Sequence, residues 1–202
     1  MTPSQRDQMH TQLPDFDWED QELSDLSYDH TRFTDGTLIG AQLSTSTFDR
    51  CRFGNVAFNT ATLRSSAFTN CTFTRCSFFD TSFDDCRVFG STFDRCTFTA
   101  LKATGGDWSL SSMIGADLRG AEFTDVRLRE IDLTNARLEG AAVRDCDLSG
   151  ALLFGTNLME CDLRGSNLST LDPSECSLRG AVITWQLSID LATAMGLDVR
   201  PD

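Results

Sequence analysis

Several features that carry chemistry are missing from this sequence of 202 residues. No apolar run approaches the roughly 20 residues needed to cross a bilayer. The opening MTPSQRDQMH lacks a basic stretch followed by an apolar one, so the expected setting is cytoplasmic. There are only 2 histidines, His10 and His30, and neither sits in a motif that positions a nucleophile. No phosphate-binding loop, metal-ligand signature or nucleophile elbow occurs. The expectation is a non-enzyme with no catalytic residue, no metal and no cofactor. Bases are in deficit too: 17 Lys+Arg stand against 30 Asp+Glu, for a net charge of −13. That balance opposes direct binding of nucleic acid and favours basic partners.

The chain does hold 8 cysteines. They are Cys51, Cys71, Cys76, Cys86, Cys96, Cys146, Cys161 and Cys176, and every spacing between them is a multiple of five. No CxxC pair occurs, so neither a zinc site nor a disulfide framework is indicated. They read as small buried side chains in a reducing compartment.

The multiple of five is the main signal. Every fifth residue from Leu13 to Ile183 is large and apolar, except Ala103 and Pro173. Two residues earlier runs a second column of small residues, including Ala41, Ser46, Cys51, Ala61, Cys71, Ala121 and Ala141. The other three positions are mostly polar. A helix would rotate such a stripe around its axis, and a strand needs period two. A chain that turns a corner every five residues satisfies it, with one large and one small residue pointing inward per side. Coils of such a chain stack at roughly 4.8 Å. Where the large column drops to Ala103 its small partner becomes Leu101, and Pro173 is matched by Leu171. Interior volume is thereby conserved. Pro173 and the pair Gly105–Gly106 predict local irregularity near residues 101–106 and 171–175.

Segments such as Ala116-Asp117-Leu118-Arg119-Gly120 and Cys161-Asp162-Leu163-Arg164-Gly165 match the A(D/N)LXX pattern of pentapeptide-repeat proteins. The chain resembles that family over about residues 17–183. The resemblance implies an all-β fold, a right-handed quadrilateral parallel β-helix. The expected division is a tail over 1–16, the β-helix over 17–183 and a capping or dimerising segment over 184–202. In that last segment Ser188 is a candidate N-cap, and a helix is expected over about 189–195, ended by Gly196.

The unbroken frame and this C-terminal segment resemble the quinolone-resistance proteins of the MfpA and Qnr type, MfpA more than the loop-interrupted Qnr proteins. That resemblance implies a homodimer joined at the C-termini, here through Trp185, Leu187, Ile189, Leu191, Ala192, Met195 and Leu197. It also implies a role as an acidic DNA mimic. Such a rod binds DNA gyrase, or topoisomerase IV, and counters quinolones or a natural gyrase poison. The alternative is a scaffold for another protein, unrelated to topoisomerases. No direct contact with nucleic acid or membrane is expected.

Charge is unevenly spread: residues 1–29 carry net −7, residues 30–106 net +2 and residues 107–175 net −7. Counting in twenties, the side centred on Leu23, Leu43, Leu63, Phe83, Ala103, Phe123, Val143 and Leu163 has the most acids. The candidate mimic surface on it is Asp84, Asp85, Glu122, Asp125, Asp145 and Asp162. A rod of this repeat number is about 40 Å long. A C-terminal dimer would match some 25 base pairs at roughly 3.4 Å each. Apolar residues at outward positions are Ile39, Phe79, Phe89, Ile114, Leu152, Phe154 and Met159.

Overall fold

The computed structural model describes residues 12–200. The chain forms a four-sided parallel β-solenoid closed by one short helix, α1 (Trp185–Ala194). On the first side, strands Gln12–Pro14, Arg32–Thr34, Arg52–Gly54, Thr72–Thr74 and Thr92–Asp94 stack in register. The ladder continues as single bridges through Ser112, Asp132 and Leu152. The second side consists of single bridges, from Asp17↔Thr37 to Ser77↔Thr97 and again from Asp117↔Arg137 to Asn157↔Ser177. The third carries seven strands, from Glu22–Ser24 to Ala142–Arg144, and then bridges at Asp162 and Val182. On the fourth, Ser27–Asp29, Thr47–Asp49 and Ala67–Thr69 are followed by bridges at Arg87, Asp107, Arg127, Asp147 and Asn167. Every partner lies 20 residues away, four five-residue sides to each coil.

The corners explain why five residues suffice for one side. Every residue numbered a multiple of five from Asp15 to Gly165 has a positive φ, between 45° and 76°. Glycine, asparagine and aspartate tolerate that region best. The corner N–H then reaches one coil onward, as Asp35 does to Gly54 O at 3.0 Å and Asp125 does to Arg144 O at 3.0 Å.

Two corner types follow from where the remaining backbone groups go. On single-bridge sides, the inward residue's carbonyl accepts the N–H three residues on: Leu118 O from Ala121 at 3.0 Å, Leu138 O from Ala141 at 3.0 Å. The N–H just after the inward residue then needs an acceptor, and the preceding Asp or Asn supplies it. Asp107 Oδ1 accepts from Ser109, Asp132 from Thr134, Asp147 from Ser149 and Asn157 from Met159, all at 3.0–3.1 Å. This Asx turn is the physical content of the D/N position.

On three-residue rungs the longer ladder engages that N–H, and the small residue's N–H is orphaned instead. A hydroxyl from the coil above takes it. Ser91 Oγ accepts from Cys71 N at 2.9 Å and donates to Phe68 O at 2.8 Å. Ser166 does the same for Cys146 N (3.0 Å) and Val143 O (2.8 Å). Thiols stand in equivalent places: Cys86 Sγ lies 3.2 Å from Leu63 O and faces the Ser66 amide. Cysteines placed this way are therefore more than filler, because they bridge corners that no turn closes. Burial pushes the Cys86 and Cys146 thiols up to about 11, so they stay protonated donors.

The interior follows the two columns. Phe33, Phe53, Phe73 and Phe93 stack at centroid spacings of 4.7, 4.9 and 4.8 Å, near the strand spacing itself. Past Trp108 the core is mostly aliphatic, and it retains a cavity of only about 10 Å³, room for at most one water. Trp108 explains Ala103. The third side runs Phe83↔Ala103↔Phe123, and the indole lies 5.0 Å from the Phe83 ring and 5.9 Å from that of Phe123. Leu101 is also buried, as expected, but the larger compensation is Trp108 on the next side.

Three expectations need correction. The solenoid begins within the expected 1–16 tail: Gln12–Pro14 pairs with Arg32–Thr34. Phe16 is buried where a Cβ on Gly36 would meet its ring at 2.2 Å. The helix begins at Trp185 rather than 189, with Thr184 rather than Ser188 as N-cap, its side chain accepting from Leu187 N. Leu187 is buried against the last coil, so it caps the rod's own core. Both expected irregularities are present. Gly105 and Gly106 have successive positive φ, and a Cβ at Gly106 would lie 2.1 Å from Cys86 O. Before Pro173 the ladder slips, and Gly155 N donates to Glu175 O at 2.7 Å, one residue beyond the regular offset.

Ser91→Ala would leave the buried Cys71 N–H without its acceptor. The expected cost is about 1–3 kcal/mol in urea unfolding, with Ser91→Cys costing less. Equal stability of wild type and Ser91→Ala would contradict the bridging role.

Candidate acidic surface and end face

The candidate acids occupy three positions on the coil, and the ion pairs they make there decide how much charge each one shows. Asp162 precedes an inward leucine and is bound locally. Its carboxylate takes Arg164 Nη2 at 2.7 Å and Arg144 Nε at 2.6 Å, and its side chain is 15% exposed. Arg164 above all, and then Arg144, hold its pKa well below the ordinary carboxylate range against the opposing effect of burial. Asp84 pairs with Arg64 Nε at 3.3 Å. Asp117 is held the same way by Arg119 and Arg137, and its pKa is lowered chiefly by Arg119. Asp107 lies between Arg87 and Arg127, at 3.8 and 3.5 Å. These pairs join neighbouring coils and cancel much of the charge that a residue count assigns to the surface.

Asp85, Asp125 and Asp145 sit instead at left-handed corners between the third and fourth sides, where side chains splay outward. They line one groove of about 490 Å³ with Gly105, Gly106, Arg127, Arg129 and Asp147. Gly105 takes the corner position between Asp85 and Asp125 and leaves the groove open there. Its basic wall is already engaged: Arg129 Nε lies 3.0 Å from Asp147 and Arg127 Nη1 lies 3.5 Å from Asp107. Glu122 stands on the adjoining third side, in register with Lys102 and Ala142. Among the described residues, Asp85, Glu122, Asp125 and Asp145 enter no ion pair. The structure thus brings three of the six candidates, Asp85, Asp125 and Asp145, into one groove, leaves Glu122 unpaired on the adjoining side, and places Asp84 and Asp162 in pairs. The Asx positions held the missing signal, since an Asp before an inward residue and beside arginines one coil away is already used.

At the far end, Trp185 is 76%, Met195 67% and Leu197 59% exposed. Ile189 and Ala192 are half-buried, and Leu191 packs against the core. The expected end face is therefore divided. Leu187 and Leu191 seal the rod, while Trp185, Met195 and Leu197 face outward. Elsewhere, Phe89 lies beneath the Arg87 guanidinium at 4.6 Å, and Phe79 is 49% exposed. His30 Nδ1 lies 2.8 Å from Asp29 Oδ1, and His10 lies outside the described residues. No helix among the described residues is long and apolar enough to cross a membrane.

A parallel solenoid with one inward large residue and one left-handed corner per five residues defines a class, the quadrilateral β-helix. The second half of the chain carries pentapeptide repeats: the family described as Pentapeptide repeats matches residues 91–130, 131–169 and 156–185. The family described as SV2A/B/C luminal domain matches residues 4–98, the phenylalanine-rich part. Comparison with curated proteins gives no match. Among solved structures, full-length QnrB1, a plasmid-mediated fluoroquinolone resistance protein, is 17% identical with a TM-score of 0.60, over 94% of this chain and 100% of that one. A trypsin-treated QnrB1 variant is 20% identical with a TM-score of 0.60, over 93% and 99%. HetL from Nostoc sp. strain PCC 7120, a pentapeptide repeat protein involved in heterocyst differentiation regulation, is 19% identical with a TM-score of 0.39, over 79% and 85%. At these identities the likeness is one of fold.

The Asp162 pairing makes a signed prediction. A carboxylate with a depressed folded pKa contributes stability that is complete above the unfolded value, near 4, and is lost as pH falls through the folded one. Asp162→Asn should lower the urea midpoint at pH 7, and the gap to wild type should narrow progressively below about pH 4. A gap of constant size down to pH 2 would show that the pairs contribute nothing.

Proposed function

We propose that this protein binds DNA gyrase as a DNA mimic and protects it from quinolones or a natural gyrase poison, acting as a dimer joined end to end through α1. The observation that carries the reading is the corner column Asp85, Asp125 and Asp145 with Glu122 beside it, acids left outside the ion pairs that bind their neighbours. Asp125 and Asp145 are one coil apart, about 4.8 Å, a spacing comparable to the 3.4 Å per charge along one DNA strand. The fold shared with QnrB1, whose name records fluoroquinolone resistance, supports the same reading. In a C-terminal dimer the two 107–175 segments, net −7 each, flank the two-fold axis and present their acids to a basic DNA-binding saddle. Trp185, Met195 and Leu197 supply exposed apolar surface for that joint, a common location for such contacts.

Gyrase supercoiling with this protein titrated in, with and without a quinolone, tests the reading. Inhibition or rescue should weaken at least tenfold in Asp125→Lys/Asp145→Lys and should fall steeply with salt. Asp84→Asn should matter much less, because Arg64 already pairs with that carboxylate. No effect of the wild-type protein on gyrase under either condition would reject the proposal in favour of a scaffold for another partner. For the dimer, Trp185→Asp/Met195→Asp should halve the mass in sedimentation, and an unchanged mass would place the joint elsewhere.

A further inference from the structure

Outward positions on this rod are polar almost throughout, and one stretch of the first side departs from that. The position after the inward residue holds Thr34, Gly54, Thr74 and Asp94 on the earlier coils, then Ile114, Thr134 and Phe154. The position before it holds Arg32, Arg52, Thr72, Thr92, Ser112 and Asp132, then Leu152. Ile114 is 56%, Leu152 56% and Phe154 62% exposed. Leu110, at the corner that leads into this side, is 48% exposed and has a φ of 59°. A bulky aliphatic residue is disfavoured there, and its neighbours in that column are Gly90, Glu130 and Gly150. Apolar area and backbone strain are thus kept together on one surface where neither helps the fold.

Between the two apolar rungs lies Asp132, bridged to Ser112 on one coil and Leu152 on the next. Its Oδ1 accepts Thr134 N–H at 3.0 Å. Neither Asp132 nor Glu130 enters an ion pair among the described residues, whereas Asp117 and Asp162 on nearby sides do. The surface is therefore an apolar frame around an uncompensated carboxylate. It lies on the first side, opposite Glu122 on the third.

We propose that this face, residues 110–154 of the first side, docks an amphipathic helix of a partner protein that carries two apolar residues seven apart and a Lys or Arg between them. Ile114 and Phe154 stand two coils apart in one column, about 9.6 Å. Seven residues of helix rise about 10.5 Å, so a helix laid along the rod puts its i and i+7 side chains on those two. Its residue at i+3 or i+4 then lies over Thr134, with Asp132 two residues away on the same rung and within the reach of a long basic side chain. A base there gains a partner, and an acid meets like charge in a segment of net −7. The chain's own helix is a poorer occupant, because it carries Asp190 and no base.

The test uses a labelled synthetic helical peptide with Leu at i and i+7 and Lys at i+3 and i+4, titrated with the full chain by fluorescence anisotropy. A matched peptide with Glu at i+3 and i+4 is the control. The Lys peptide should bind saturably and at least tenfold more tightly than the Glu peptide. Ile114→Thr/Phe154→Thr should weaken it at least tenfold, and Asp132→Asn should reduce the Lys-over-Glu preference. Threonine is this column's own residue at positions 34, 74 and 134, so the variants should keep the wild-type circular dichroism. Absence of saturable binding, equal binding of both peptides, or undiminished binding by the folded double variant would each overturn the proposal. Sedimentation separates the remaining occupant: self-association lost in Ile114→Thr/Phe154→Thr, without peptide binding, would reassign the face to a second copy.

Discussion

Each side of the rod ends on a residue held at positive φ, and the rest of the structure is positioned by that corner. The left-handed turn directs the chain inward again after five residues, so two side chains per side reach the axis and three do not. It also sends the corner N–H to a carbonyl on the next coil, which locks successive coils in register. Most corners hold residues other than glycine, although L-residues resist this conformation. They can hold it because each corner is bonded into a ladder on both flanks. A lone turn of this shape would not be stable, and the stack is cooperative for the same reason that repeat arrays generally are.

Once the corner is fixed, the backbone groups it leaves over dictate composition. A corner closed by its own turn bond orphans the N–H after the inward residue, and Asp or Asn at the ladder position accepts it. A corner without that bond orphans the N–H of the small residue, and Ser or Cys from the coil above accepts it. This is why the first half of the rod, rich in three-residue rungs, uses Ser and Cys in its small column. The second half, rich in turn-closed corners, uses Ala there and Asp or Asn at the ladder position. The change from phenylalanine to leucine inside occurs at Trp108, whose bulk is admitted by Ala103 on the preceding side. The indole Nε1 has no partner among the described residues. Its burial therefore opposes stability, and the ring contacts with Phe83, Phe93 and Phe123 offset that cost.

The interior was readable from the sequence because it obeys one period: the inward columns and both irregular stretches follow from counting, while the four sides and the 20-residue register came from the family resemblance. What was not readable depends on bonds between coils. Cysteines spaced by fives look like inert filler until the amide facing Cys86 is seen. Ser188 is the N-cap that composition suggests, but the last coil draws Leu187 inward and starts the helix at Trp185, which makes Thr184 the cap. The beginning of the rod was obscured because Phe16 stands in the small column, a substitution permitted only by Gly36 one coil above.

The same distinction governs the acids. Formal charge treats Asp162 and Asp125 alike, and both lie near one long surface. The carboxylate of Asp162 is committed to an Asx contact and two guanidinium partners, so a cationic partner would have to displace bonds already made. Asp125 occupies a corner and enters no ion pair, because the arginines of its groove, Arg127 and Arg129, are engaged by Asp107 and Asp147. On this surface Asp84 and Asp162 are held in ion pairs, and the corner acids Asp85, Asp125 and Asp145 are left to solvent. Corner acids are thus the ones whose charge can be altered without loosening the coils, and a partner that senses the rod electrostatically will sense the corner columns first. The surface field of such a protein is set by which corners hold acid, and far less by its net charge.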